Sequence, residues 1–266
     1  MHKESPIGVF DSGVGGLSVA REIFRQLPQE RIIYFGDTAH VPYGSRSIEE
    51  LTLFGDQISE FLMAKGVKAI VVACNTSSSV SLDHLLEKYP SIPFIGVIEP
   101  GITAALEVTK NSKIGVIATQ ATINSEAHKK LLLTRKPDIE VYTMACPKFV
   151  PLVEKGETEG PEAKKAALEY LTPFKEAGID TLILGCTHYP FLIDVIREVI
   201  GPEVNIVDPA LETVRQTKEL LQKNQGLRDE NNSNNEYFVS GNPESFLVTA
   251  KKFMGDALQE VKKATL

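Results

Sequence analysis

Apolar residues in this chain fall into two patterns. Short continuous runs occupy 7–10, 31–35, 69–73, 93–98, 113–119, 140–146, 181–185, 204–207 and 237–240. Between the runs, apolar positions recur every three or four residues, most clearly Ile48, Leu51, Phe54, Ile58, Phe61 and Leu62. Short aliphatic and β-branched runs read as strands buried on both faces of a parallel sheet. The periodic stretches read as helices that press one face onto it. Ser47-Ile48-Glu49-Glu50 is a capping box opening the helix just described, and Gly66 stops it. Further helices are predicted over 17–27, from Cys74 to about Tyr89, up to Lys110, and over 161–177, 191–200, 211–223 and 243–255. Glu99-Pro100-Gly101 reads as the turn that closes the 93–98 strand, and 147–156 as a loop or short helix. A polar tract from Asn224 to Asn235, with asparagines at 231, 232, 234 and 235, reads as a loop. Strands alternating with helices throughout predict a doubly wound parallel α/β architecture.

The chain also repeats itself. Ile114-Gly115-Val116-Ile117 echoes Ile7-Gly8-Val9-Phe10 at an offset of 107 residues. Thr181-Leu182-Ile183-Leu184-Gly185-Cys186 echoes Ala69-Ile70-Val71-Val72-Ala73-Cys74 at an offset of 112. Two similar offsets predict two α/β domains related by pseudo-symmetry, 1–98 plus 208–266 and 99–207. The active site is expected in the cleft between them, with the tail returning to the first half.

Composition narrows the class. The chain has 266 residues, 42% hydrophobic and 24% charged, with a formal charge of -7. That is an ordinary globular composition, and it lacks the basic patch of a nucleic-acid binder. No apolar segment approaches the roughly 20 residues that span a bilayer. Residues 1–6 show no signal-peptide core, so the protein is expected in the cytoplasm. Three cysteines without metal-ligand spacing predict neither a disulfide framework nor a metal site.

The loops carry the candidate chemistry. Asp11-Ser12-Gly13-Val14-Gly15-Gly16 follows the first strand but misses the dinucleotide fingerprint, because Ser18 stands where the third glycine belongs. It reads as a Gly-rich turn whose N–H groups hold a small anion. The 36–46 loop is long and polar, as functional loops tend to be. Cys146 sits in Met144-Ala145-Cys146-Pro147 with no partner motif and reads as a core thiol. Cys74 and Cys186 differ because each ends a strand just before polar residues and a helix N-terminus. That position is expected to lower the thiol pKa. Two thiols facing one carbon could remove and return a proton on opposite faces, which inverts a stereocentre without a cofactor. A single cysteine oriented by His188 would instead serve a hydrolase. Helix capping by Asp11, Asn75 and Thr76, a packed turn at Tyr43 and a solvated charge at Asp37 are the structural alternatives.

Four motifs occur in order: Phe10–Gly16, Asp37-Thr38-Ala39-His40-Val41-Pro42-Tyr43-Gly44, Ala73–Ser78 and Gly185–Pro190, with Val207-Asp208-Pro209 near the tail. The set resembles the glutamate racemase family over nearly the whole chain. The resemblance implies cofactor-independent interconversion of L- and D-glutamate, supplying D-glutamate for bacterial peptidoglycan. It implies Cys74 and Cys186 as the two bases. It places substrate contacts at Asp11, Ser12, Tyr43, Gly44, Asn75, Thr76, Thr187 and His188, with Asp37 and Glu154 as weaker candidates. Glutamate is the implied partner, with no nucleic acid, membrane, cofactor or metal, and a homodimer is the assembly left open. An aspartate racemase on the same scaffold and a non-catalytic binder of acidic metabolites remain the competing readings.

Overall fold

The computed structural model describes residues 1–230, 234–255 and 258–266. In chain order the elements are β1 (Ile7–Asp11), α1 (Leu17–Gln26), β2 (Ile32–Gly36), α2 (Ile48–Ala64), β3 (Ala69–Val72), α3 (Asn75–Val80), α4 (Leu82–Lys88) and β4 (Phe94–Gly96). There follow α5 (Ile98–Val108), β5 (Lys113–Ala118), α6 (Gln120–Ser125), α7 (Ala127–Arg135), β6 (Glu140–Ala145), α8 (Phe149–Lys155), α9 (Pro161–Ala177) and β7 (Thr181–Gly185). The chain ends with α10 (Ile193–Ile200), β8 (Asn205–Val207), α11 (Pro209–Lys223), β9 (Glu236–Val239), α12 (Pro243–Met254) and β10 (Lys262–Lys263).

The strands form two all-parallel sheets, ordered β10-β9-β2-β1-β3-β4 and β6-β5-β7-β8. The second order repeats the core of the first, and the register repeats with it. Gly8 pairs with Ile70 in one sheet, and Gly115 pairs with Leu182 in the other. Those two glycines lie where a helix crosses close over the strand. A Cβ on Gly115 would stand 2.7 Å from Ile179 and 2.9 Å from Phe174. β9 returns the tail to the first sheet, beside β2.

Every residue of β1, β2, β3 and β7 is buried, as continuous apolar runs require. Alternate side chains feed opposite faces. Ile7, Val9 and Val71 join a core that runs on to Ile117, Leu182 and Leu184 of the second sheet. Phe10, Ile33, Phe35 and Ile70 pack under α2 on the other face, and Ile114, Val116 and Ile183 do so under α5. Each such side chain contributes roughly 1.5–3 kcal/mol by leaving water.

Local chemistry explains the elements that differ from expectation. The capping box forms as read, with Glu50 N–H donating to Ser47 Oγ and Ser47 N–H donating to Glu50 Oε2. The helix after Cys74 is two short ones, because its hydroxyls compete for backbone partners: Ser78 donates to Val72 O and Ser81 to Leu51 O. The 93–98 strand ends at Gly96. Glu99-Pro100-Gly101 is the first turn of α5 rather than a separate turn, where a proline is tolerated because its N–H has no helical partner. Residues 147–156 contain α8. A 3-10 turn at Tyr189–Leu192 precedes α10, delayed by Pro190. Within the polar tract, positions 231 and 232 lie outside the described residues. No helix among the described residues is long and apolar enough to cross a membrane.

Candidate active site

Both cysteines sit at the carboxyl end of the third strand of their sheet. In each sheet the chain leaves the first strand on one side and returns to the third on the other, which opens a crevice at that end. The two crevices meet in one cleft of about 160 Å³. Cys74, Asn75 and Thr76 line it from the first sheet, Cys186, Thr187 and His188 from the second. Ser12, Tyr43 and Gly44 complete the expected lining.

Asp11 does not line the cleft. It is fully buried behind it. Its Oδ1 accepts from Thr187 Oγ1 at 3.0 Å and its Oδ2 from Gly13 N–H at 3.0 Å. Nor does it cap α1, whose N-cap is Gly16. Asn75 and Thr76 are not caps either, since α3 begins at Asn75 with Cys74 as its N-cap. The glycine loop serves a different purpose from the small-anion turn expected of it. A Cβ on Gly15 would lie 2.4 Å from Thr187 Oγ1 and 2.5 Å from His188 Nδ1. One on Gly13 would lie 2.4 Å from Glu154 Oε1. The loop is bare so that the Cys186-Thr187-His188 turn can press against it. Its N–H groups at 13 and 14 go to the chain's own carboxylates, Asp11 and Glu154.

The two thiols have unlike surroundings. Burial, with the Asp11 carboxylate second, pushes the Cys74 thiol up to about 12, and the N–H and hydroxyl of Ser77 offset only part of this. The lowering expected at a helix N-terminus is overturned here: α3 has six residues, too short a dipole to outweigh desolvation. Cys186 Sγ lies 3.7 Å from His188 Nδ1, and His188 Nε2 lies 2.6 Å from Glu154 Oε1. Burial alone would push the imidazole down. Cys186 and Glu154 together outweigh it and hold His188 well above the usual histidine range. Protonated, the ring donates from both nitrogens. It is placed to balance negative charge on Cys186 Sγ.

A hydroxyl cluster ties the two halves together. Thr76 Oγ1 is 2.9 Å from Thr119 Oγ1 and 3.1 Å from Thr122 Oγ1, and the latter two are 3.0 Å apart.

The profile of the Asp/Glu/Hydantoin racemase family matches residues 7–217. The chain belongs to that family. It is 46% identical over 267 residues to the glutamate racemase of Desulforudis audaxviator, covering 98% of this chain and 97% of that one. A glutamate racemase isoform from Bacillus anthracis superposes with a TM-score of 0.93 at 42% identity, over 100% of this chain and 98% of that one. The glutamate racemase of Francisella tularensis, solved with D-glutamate, superposes with a TM-score of 0.93 at 37% identity, over 99% and 98% of the two chains.

Within this racemase cleft, sequence reading missed Thr119, which lines the wall beside Gln120. The internal repeat contained the signal: the 107-residue offset carries Ser12 onto Thr119. Cys146 also lines the cleft. It is fully buried, its thiol donates to Met144 O at 3.7 Å, and burial first, then Cys186, pushes that thiol well up. It lacks the paired position at the end of a third strand that Cys74 and Cys186 share. Asp37 is neither solvated nor in the cleft. Fully buried, it accepts from Tyr43 OH at 2.6 Å, Ser240 Oγ at 2.6 Å and His40 Nδ1 at 2.8 Å, and so acts by holding Tyr43.

The His188–Glu154 pair makes a pH-dependent contribution. His188 is raised from 6.5, so its stabilisation is full below pH 6.5 and is lost as pH climbs through the folded value. Glu154 is lowered from 4.5: burial opposes this, but the His188 hydrogen bond and charge prevail. Its stabilisation is full above pH 4.5 and is lost as pH falls through the folded value. The two overlap fully between pH 4.5 and 6.5. Urea unfolding of Glu154→Gln beside the unsubstituted protein is therefore expected to show the widest stability gap in that window, closing toward alkaline pH. A gap that is constant with pH would remove the pair from the account.

Proposed function

We propose that this chain interconverts L- and D-glutamate by passing the α-proton between Cys74 and Cys186, with no cofactor. Glutamate racemisation is the activity named for relatives 42–50% identical to it. The observation that carries the mechanism is the placing of two buried thiols in one cleft at equivalent positions of two repeated sheets. One sulfur, as thiolate, takes the α-hydrogen from one face of the carbon. The other, as thiol, delivers its proton to the opposite face. In the substrate-free protein Cys74 rests as the thiol, because burial and Asp11 hold its proton on. Cys186 has the His188 imidazolium beside it to balance charge.

Among the described residues no arginine or lysine lines the cleft. Substrate carboxylates are read as held by N–H and hydroxyl groups at Ser12, Gly44, Asn75, Thr76 and Thr187, with Thr119 added and Tyr43 forming the rim. His188 assists Cys186, and Asp11 acts through Thr187. We read the chain as two lobes, 1–98 plus 208–266 and 99–207, whose approach shuts the substrate away from water. The protein is read as cytoplasmic, its D-glutamate feeding peptidoglycan synthesis.

The test needs no added cofactor. Purified protein is incubated with L-glutamate in D2O, and optical rotation is followed together with deuterium at the α-carbon. Loss of rotation with matching deuterium uptake is expected. Exchange with aspartate and not glutamate would change the substrate and keep the mechanism. Binding of either without exchange would make the chain a binder of acidic metabolites.

A further inference from the structure

Behind the cleft, between the two sheets and against α1 and α11, lies a second cavity of about 10 Å³. Asn75, Cys186 and Thr187 line both spaces. Ser18 of α1 and Asp208, the N-cap of α11, line only the small one. Two buried polar atoms on its lining side chains, Ser18 Oγ and Asn75 Oδ1, have no hydrogen-bond partner in the chain. Their residues are 2% and 3% exposed. Buried polar groups are almost always satisfied, and about 10–15 Å³ of such space is the least that admits one water. The Asp208 carboxylate accepts from Ala210 N–H through Oδ1, which leaves Oδ2 free to accept another bond.

We propose that this cavity holds a single buried water that fixes the Asn75 amide for substrate binding. The water accepts from the Ser18 hydroxyl, donates one proton to Asn75 Oδ1 and donates the other to Asp208. Three polar partners are the usual complement of an internal water. With Oδ1 held on the far side, the NH2 end of the amide faces the cleft and donates to a substrate carboxylate. A turned amide would offer that carboxylate a second acceptor. Ser18 is thus a positioning residue, acting on substrate through water and Asn75. This rests on the reading of Asn75 as a substrate contact.

The test joins crystallography with one substitution. A structure at about 1.2–1.5 Å is expected to show one water within hydrogen-bond distance of Ser18 Oγ and Asn75 Oδ1, since ordered sites of this kind are well defined. Direct contact of the two side chains, or an empty cavity, overturns the proposal. Ser18→Val keeps a compact side chain and fills the water's place. Its KM for both enantiomers is expected to rise about five- to ten-fold, the worth of one misdirected hydrogen bond, with kcat changed less than about two-fold. Ser18→Ala, which keeps the water with one partner fewer, is expected to show a smaller KM rise and guards against a folding defect in the valine variant. Unchanged KM in Ser18→Val with the water displaced overturns the positioning role. A wild-type protein that exchanges no α-hydrogen would sink the racemase reading instead, and the crystallographic result would still decide the water.

Discussion

Cys74→Ser and Cys186→Ser are each expected to lower racemisation by at least about 1,000-fold in both directions, within the range general acid–base groups contribute. Loss of one thiol disables both directions, because the acid for one enantiomer is the base for the other. A serine hydroxyl is too weak an acid and too poorly ionised to replace either. The variants need not be equally silent. Each keeps one sulfur, and that sulfur can still take and return a proton on its own face. Cys74→Ser leaves Cys186, which lies 3.7 Å from the His188 ring. It is expected to wash deuterium into a single enantiomer without inverting it. Cys186→Ser leaves Cys74, whose thiol is pushed up to about 12 by burial and Asp11. With so little thiolate at neutral pH, its one-sided exchange is expected to be the slower. The measurement is α-deuterium uptake from D2O by NMR for each pure enantiomer with each variant. Near wild-type racemisation by either variant would end the two-base assignment, and equal exchange by both would end the claimed asymmetry.

Gly15→Ala is expected to be the next most damaging change, although it adds one methyl group and removes no functional side chain. That Cβ would stand 2.4 Å from Thr187 Oγ1, 2.5 Å from His188 Nδ1 and 2.8 Å from His188 Cε1. None of these atoms ends a long flexible side chain, and each is already tied. Thr187 donates to Asp11, and His188 joins Cys186 to Glu154. The turn that carries Cys186 must therefore move. A displacement of about 1 Å at a reacting group can lower a rate about 100-fold, and overpacking costs about 1–3 kcal/mol in stability. The expected outcome is a loss of kcat near that size with a folded protein, checked by steady-state kinetics beside thermal unfolding. Retention of wild-type kcat would show that the loop and the turn are not held as tightly as they lie.

How much of this was legible beforehand follows from what a sequence pattern reports. Among the described residues, nine of ten strands lay under largely apolar runs. For β1, β2, β3 and β7 the reason is that parallel strands buried on both faces need continuous apolar side chains. β10, Lys262–Lys263, is two exposed lysines on a sheet edge and carries no such signal. Helix boundaries slipped where backbone chemistry competed, at the serines after Cys74 and at Pro100. The repeat was visible in both echoes, and carried one step further it would have named Thr119.

The sequence by itself determined the architecture, the twin positions of Cys74 and Cys186 at strand ends, and the loops that accompany them. These are local matters: periodicity, chain breakers and the residue type at the end of a run. Only the tertiary structure decided what the charges do. It set Asp11 behind the cleft and bonded it to Thr187, 176 residues away along the chain. It buried Asp37 as a clasp for Tyr43, raised the Cys74 thiol instead of lowering it, and brought Glu154 to His188. The strength and even the sign of an electrostatic effect depend on burial and on neighbours through space. Both are set when the two sheets close on one another.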